Sequence, residues 1–214
     1  MTQKRSTTAV RKQQIIEAAR KLIIKRGSEH LTVRSIAKEV NITEAAIYRH
    51  FKSKREILSF LMSQISETML KEINRSAVGE VSPVKAIEEI LRYHLSEIEQ
   101  RRGMSFQVIA EILSFGDKEL NREVYESINR YLDRLKVLLS EAARSGEVRA
   151  DLDLDASALL CFGALQGLVN FWALSDYSFD LVKKYDSVWE VLHQAIAKTS
   201  EQALHHGGLA DRTV

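Results

Sequence analysis

Apolar residues recur three and four positions apart along nearly the whole chain, and the breaks between these stripes fall at Gly, Asn or Ser-Pro. That period belongs to helices, and the breaks divide the chain into about nine of them. The first runs from about Thr8 to Arg26 with Ile16, Ala19, Leu22 and Ile23 inward, and stops at Gly27. Two short helical patterns then share residues 32–51. The fourth helix, from Lys54 to about Ala77, carries Ile57, Phe60, Leu61, Ile65, Met69 and Ile73 and ends near Gly79. Ser82-Pro83 reads as an N-cap followed by Pro at the first helical position. Ile87, Ile90, Leu91, His94, Leu95 and Ile98 carry the fifth helix to Gly103, and a short sixth spans Met104 to Phe115.

After Gly116-Asp117 the seventh helix runs to Arg144 on Leu120, Val124, Ile128, Tyr131, Leu135, Leu138 and Ala142, with Gly146 closing it. The eighth, from about Asp155 to Leu174, is apolar almost all the way round. The last, from about Lys184 to His205, is amphipathic on Val188, Leu192, Ile196, Ala203 and Leu204. One Pro and nine Gly among 214 residues leave little room for sheet, so the expected fold is all-α.

The stretch TVRSIAKEVNITEAAIYRHF, residues 32–51, compresses two helices and a tight turn into the size of a helix-turn-helix. Thr32 is a candidate N-cap for a helix whose inward positions are Val33, Ile36, Ala37 and Val40. Asn41 ends it, because Asn tolerates the left-handed backbone that such a turn requires. Thr43 is a second N-cap, Glu44 sits where the helix dipole favours an acid, and Ile47 and Phe51 form the buried edge of the next helix. Ala45, Ala46, Tyr48, Arg49 and His50 are left facing outward. On DNA, small Ala side chains permit close approach to base edges, hydroxyls and His reach phosphates, and Arg reaches phosphate or the O6/N7 edge of guanine. Ser53 and Glu56 have capping-box spacing, so the fourth helix should begin there with free N–H groups and Lys54 aimed at a phosphate.

Residues 11–58, with IIEAARKLIIKRG, the helix-turn-helix and the run AAIYRHFKSKREIL, resemble the N-terminal domain of the TetR family of bacterial transcriptional regulators. The resemblance implies a homodimeric repressor whose C-terminal domain binds a small molecule and thereby releases DNA. It also implies phosphate or groove contacts at Thr32, Thr43, Tyr48, His50 and Lys54. The candidate DNA-binding set is completed by Arg34, Glu44, Ala45, Ala46 and Arg49. The chain departs from the family pattern at Asn41, where many such domains carry Gly, and at Glu44, where a polar or basic base-contacting residue is common. The expected division is a DNA-binding domain over residues 1–53 and an effector-binding and dimerisation domain over residues 54–214.

Charge sharpens this picture independently. Residues 1–58 hold 14 Lys and Arg against five Asp and Glu, while the remainder is net acidic, so the overall +2 conceals a polarised molecule. A basic head carrying a helix-turn-helix is the electrostatic footprint of phosphate binding. Gln3, Lys4, Arg5, Arg11 and Lys12 form a candidate basic arm. A single Cys, Cys161, a polar basic N-terminus and no uninterrupted apolar run of 18 residues lead to the expectation of a cytoplasmic protein, with no membrane association and no disulfide. The six His are scattered, so neither a metal site nor a cofactor is expected. No nucleophile and base, carboxylate pair or metal constellation has catalytic spacing, and Cys161 lies in an apolar helix where a thiol is inert, which argues against an enzyme.

A helix hydrophobic on every side has to be buried on every side, so the eighth helix calls for a partner subunit. The expected seam is a four-helix arrangement from the last two helices of two copies, with Leu165, Leu168, Phe171, Trp172, Leu192 and Ile196 as interface candidates. The TetR resemblance places an effector among helices four to eight. Polar or aromatic candidates there are Tyr93, His94, Phe106, Tyr125, Asn129, Gln166 and Asn170; the apolar lining suggests an apolar or aromatic small molecule. The expected partners are therefore a palindromic double-stranded operator, that effector and a second copy. The alternative keeps the DNA-binding head but gives the body a protein partner instead.

Overall fold

The computed structural model describes residues 8–76 and 82–197. Among them the chain is all helical: α1 (Thr8–Arg26), a 3-10 turn at Ser28–His30, α2 (Val33–Val40), α3 (Glu44–Tyr48), α4 (Lys54–Ser76), α5 (Pro83–Gln100), α6 (Met104–Phe115), α7 (Lys118–Ser145), α8 (Leu154–Leu174) and α9 (Leu181–Ile196). All nine expected helices are present. The expected extension of the last helix through Ala203 and Leu204 to His205 lies outside the described residues, as do Ala77, Gly79 and the basic residues before Thr8.

Two compact units make up the chain: Met1–Met69 with Glu97–Ile128, and Leu70–Ser96 with Asn129–Val214. Packing therefore does not break at residue 53. In the first unit Ile15, Ile16, Ala19, Leu22 and Ile23 of α1 share one core with Ile36, Ala37, Ile47 and Phe51, with Ile57, Leu58, Leu61, Met62 and Ile65 of α4, and with Met104, Val108, Ile112, Leu120 and Val124. Side chains of this size each contribute about 1.5–3 kcal/mol on full burial. The first three helices thus rest on a foundation that α4, α6 and the start of α7 supply.

Local chemistry sets the ends. Asn41 adopts the left-handed conformation at φ 57°, and its N–H donates back to the last turn of α2. Gly116 ends α6 at φ 72°, a backbone that costs an L side chain and costs Gly little. Asp153 caps α8 by accepting from the Ala156 N–H at 2.9 Å. Asp180 does the same for α9, accepting from Lys183 at 2.7 Å, so α9 starts at Leu181 and not at the expected Lys184.

In the second unit α5 buries Ile87, Ile90, Leu91 and Leu95, α7 buries Tyr131, Leu135, Leu138, Leu139 and Ala142, and α8 packs on α9, with Leu165, Val169 and Trp172 of α8 and Leu181, Tyr185, Trp189, Leu192 and Ile196 of α9 buried. The Trp172 indole N–H donates to the Phe179 carbonyl at 2.8 Å, which fixes the α8–α9 corner. The Arg149 N–H donates to the Ile196 carbonyl at 3.1 Å and ties the α7–α8 connection to the end of α9.

Candidate nucleic-acid interface and effector region

The recognition unit is a pair of capped helices. Thr32 Oγ1 accepts from the Ser35 N–H at 3.0 Å while Ser35 Oγ accepts from the Thr32 N–H at 2.9 Å, a reciprocal box in which Ser takes the place of the usual Glu. Thr43 Oγ1 accepts from Ala46 N–H at 3.2 Å and starts α3. Ile47 and Phe51 are buried beneath it. Thr32, Arg34, Thr43, Glu44, Ala45, Tyr48 and Arg49 are exposed, and Ala46 and His50 are half-buried, so the outward face is largely the one the spacing indicates. α3 itself is only five residues long, and Arg49 and His50 continue from it as a turn whose N–H groups donate back to the end of the helix.

Electrostatics on this face are strongly positive. The His50 imidazole is held below its ordinary value, first by desolvation and then by the cations Arg11, Arg49 and Lys12 around it. Lys12 Nζ lies 5.2 Å from the centre of the Phe51 ring. The start of α1 and the end of α3 thus converge in one cationic cluster, with His50 Nδ1 buried and unpartnered. A phosphate oxygen placed there would meet several donors at once. Arg34 reaches Glu44 at 3.7 Å, which partly offsets the one acid on the recognition face.

At the start of α4, Ser53 Oγ accepts from the Glu56 N–H at 3.3 Å, but Glu56 Oε2 accepts from the Lys52 N–H at 2.6 Å, one residue before the cap, so the expected capping box closes on Lys52 and not on Ser53. Lys54, however, is not free to point at a phosphate: its ammonium donates to Glu111 of α6 at 2.5 Å, and the pair is largely buried. Arg55 forks onto Asp117 and Glu119, each at 2.9 Å, with Glu123 at 3.6 Å. Ser59 donates to Glu123 at 2.6 Å. Acids from α6, α7 and the turn between them that no local pattern marked therefore hold the helix that follows the recognition unit.

The interface candidates divide by burial. Leu165, Trp172, Leu192 and Ile196 are buried in the subunit's own α8–α9 packing, so they are corrected from interface to core positions. Phe171 is 67% exposed, and Leu168 is half-buried. The exposed strip of α8 consists of Leu159, Leu160, Phe171 and Leu174, with Gly163 and Gly167 open between them and Val191 exposed on α9. By length and composition α8 could cross a membrane, but one side of it is packed in this bundle.

The effector candidates also separate. Tyr125 is 66% exposed and Asn170 lies on the exposed side of α8, so neither lines an interior. Phe106 is half-buried in the first unit. In the second unit Tyr93 is at the surface, and Asn129, Gln166 and His94 are half-buried, with His94 Nδ1 shielded from solvent. A groove of about 370 Å³ is lined by Val84, Lys85, Glu88, Glu147, Trp189 and His193. Its mixed charge suits a polar molecule better than an apolar one. Among the described residues no group of His, Cys, Asp and Glu is placed to hold a metal ion.

A capped helix-turn-helix with a cationic face, set on a helical body, defines a DNA-binding regulator. Residues 15–59 match the family described as bacterial regulatory proteins, tetR family, and residues 62–195 match the YsiA-like protein, C-terminal region. The chain belongs to the TetR family of transcriptional regulators and is not an enzyme. It is 29% identical over 187 residues to the fatty acid metabolism regulator protein of Bacillus subtilis, covering 86% of this chain and 94% of the relative. It is 27% identical over 191 residues to the nucleoid occlusion factor SlmA of Vibrio atlanticus, covering 87% and 95%. The crystal structure of FadR from Bacillus subtilis in complex with stearoyl-CoA superposes with a TM-score of 0.73 at 28% identity, covering 86% of this chain and 98% of that one.

Proposed function

We propose that this protein is a homodimeric cytoplasmic repressor that binds a palindromic operator and is released by a long-chain acyl-CoA. The observation that carries the effector class is that similarity to the Bacillus subtilis fatty acid regulator runs through the body as well as the head, and that a similar protein was crystallised with stearoyl-CoA. The DNA-binding residues are Thr32, Arg34, Thr43, Ala45, Ala46, Tyr48, Arg49 and His50, with Lys54 joining once it leaves Glu111. Residues 1–53 provide the operator contacts, and the rest provides effector binding and dimerisation. Pairing through the exposed α8 strip sets the spacing of the two recognition helices, which must match one turn of DNA, about 34 Å. The effector acts by favouring a conformation in which that spacing is lost, with α4 as the connecting element.

The likeness to SlmA supports a second reading, in which the body of a DNA-bound dimer engages a protein partner. One experiment separates the two. Genomic fragments retained by the purified protein are recovered, and operator binding is measured by fluorescence anisotropy with and without hexadecanoyl-CoA. Loss of operator affinity at micromolar hexadecanoyl-CoA supports the repressor; unchanged affinity across a series of acyl chain lengths favours the protein-partner reading.

A further inference from the structure

Within the second unit, α5, α7 and α8 bring His94, Tyr131 and Phe162 together. The His94 and Tyr131 rings meet edge-on with centres 5.4 Å apart, and Tyr131 lies 6.0 Å from Phe162. Tyr131 is buried and His94 half-buried with its Nδ1 shielded from solvent, yet neither His94 Nδ1 nor the Tyr131 hydroxyl has a hydrogen-bond partner. Burial drives the imidazole down to about 4, so the ring is neutral at physiological pH, and burial pushes the phenol above its ordinary value. The buried thiol of Cys161, itself pushed up to about 11, is close enough to act on both Tyr131 and Tyr185.

Two neighbouring orphaned polar groups in one core are unusual, because each forfeits hydrogen bonds to water without replacement. Packing alone does not call for them: Phe in place of Tyr131 and Leu in place of His94 would fill similar space without the penalty. What the two groups share is the capacity to donate. The hydroxyl carries one O–H, and neutral imidazole carries one N–H that its tautomer can place on Nδ1. A carbonyl oxygen has two lone pairs and accepts two such bonds.

We propose that His94 and Tyr131 are the polar anchor of the effector site and that they take a single carbonyl oxygen at the end of a ligand's hydrocarbon chain. On the acyl-CoA reading above, on which this proposal rests, that oxygen is the thioester carbonyl. Hydrocarbon contacts do not discriminate along a chain, so the anchor fixes which part of the ligand stops where. It is also what distinguishes a thioester from a plain alkyl chain, since a site with an unpaired buried donor discriminates against a ligand that leaves it unpaired.

The test uses two ligands, hexadecanoyl-CoA and S-hexadecyl-CoA, a thioether that lacks the carbonyl oxygen. Both are titrated calorimetrically into the full-length wild-type dimer and into Tyr131→Phe, and the thermal midpoint of each ligand-free protein is recorded. Wild type should prefer the thioester by about tenfold, and Tyr131→Phe should bind both ligands alike. The midpoint of the ligand-free variant should be unchanged or higher, because the removed hydroxyl had no partner. Tyr131→Phe that keeps the wild-type preference overturns the anchor while leaving acyl-CoA as the effector. A variant midpoint several degrees lower also overturns it, since the hydroxyl would then be a structural group held by bound water. Wild type that binds neither ligand overturns the acyl-CoA reading itself, and the assignment of this anchor with it.

Discussion

Lys54 at the first turn of α4 is held by Glu111 of α6 across 57 residues of sequence, at 2.5 Å. On the proposed phosphate contact, Glu111 competes with the DNA backbone for the same ammonium and lowers the benefit of that contact without touching the recognition face. Glu111→Gln should therefore raise operator affinity by a few fold, about 1 kcal/mol at most for a pair that still meets solvent. Lys54→Ala should weaken binding to all sequences alike and reduce the salt slope by about one. Fluorescence anisotropy at several salt concentrations measures both. Equal affinities for wild type and Glu111→Gln would mean that Lys54 does not reach DNA.

On the recognition face, Tyr48 and Arg49 are both exposed and differ in what they can read. Tyr48→Ala removes a hydroxyl contact and should cost about tenfold on any sequence. Arg49→Ala, if the guanidinium sits on a guanine edge, should cost about 1–3 kcal/mol and relax preference at one position in each half-site. Selection of bound sequences from a randomised pool, with each variant, distinguishes the two outcomes.

The parts of this molecule that a sequence reveals are those whose causes are local. Asn41, Thr32 and Thr43 act within four residues, so the turn and both caps were legible before any coordinates. Glu111, Asp117, Glu119 and Glu123 were not, because their partners on α4 lie roughly 60 residues away and an acid on a helix surface is ordinarily solvated. The eighth helix failed in a different way. With apolar residues on every side, it carried no polar face to show which side turned inward. Leu165 and Trp172 were therefore indistinguishable from Leu160 and Leu174 until the bundle placed the first pair inside. His94 could be located on an apolar stripe, but the proximity of Tyr131 depends on packing between helices.

The exposed α8 strip predicts where the proposed dimer breaks. Leu160→Asp or Phe171→Asp places an unpaired charge on an exposed apolar surface that is tolerable in a monomer and costly in a seam. Both should give a folded monomer by light scattering with an unchanged helical circular dichroism signal. Leu165→Asp should instead unfold the subunit, since that position is 1% exposed in the isolated chain. Dimers that survive both surface substitutions would place the seam elsewhere.

His94 gives the fold a pH dependence whose sign follows from its burial. The folded imidazole protonates near 4 and the unfolded one near 6.5, so between those values the unfolded chain binds a proton that the folded chain refuses. The contribution is fully present above 6.5 and declines as pH falls. Between pH 7 and pH 5.5 it amounts to about 1 kcal/mol. His94→Leu should flatten that part of the profile, and the difference between variant and wild type in urea midpoint at the two pH values isolates this residue from other titrating groups.

Effector release, finally, is constrained by reciprocity. A ligand loosens the operator complex only to the extent that it binds the released conformation better, and a 100-fold loss of operator affinity requires about 2.7 kcal/mol of differential binding. The same factor must then appear in reverse, with saturating operator weakening hexadecanoyl-CoA binding about 100-fold. Titrating hexadecanoyl-CoA into free dimer and into dimer saturated with operator tests this without any mutation. Equal affinities would show that the ligand does not couple to DNA, even if it binds tightly. In that case the body would be free to serve a protein partner while the head stays on DNA, and release would have to come from a different ligand.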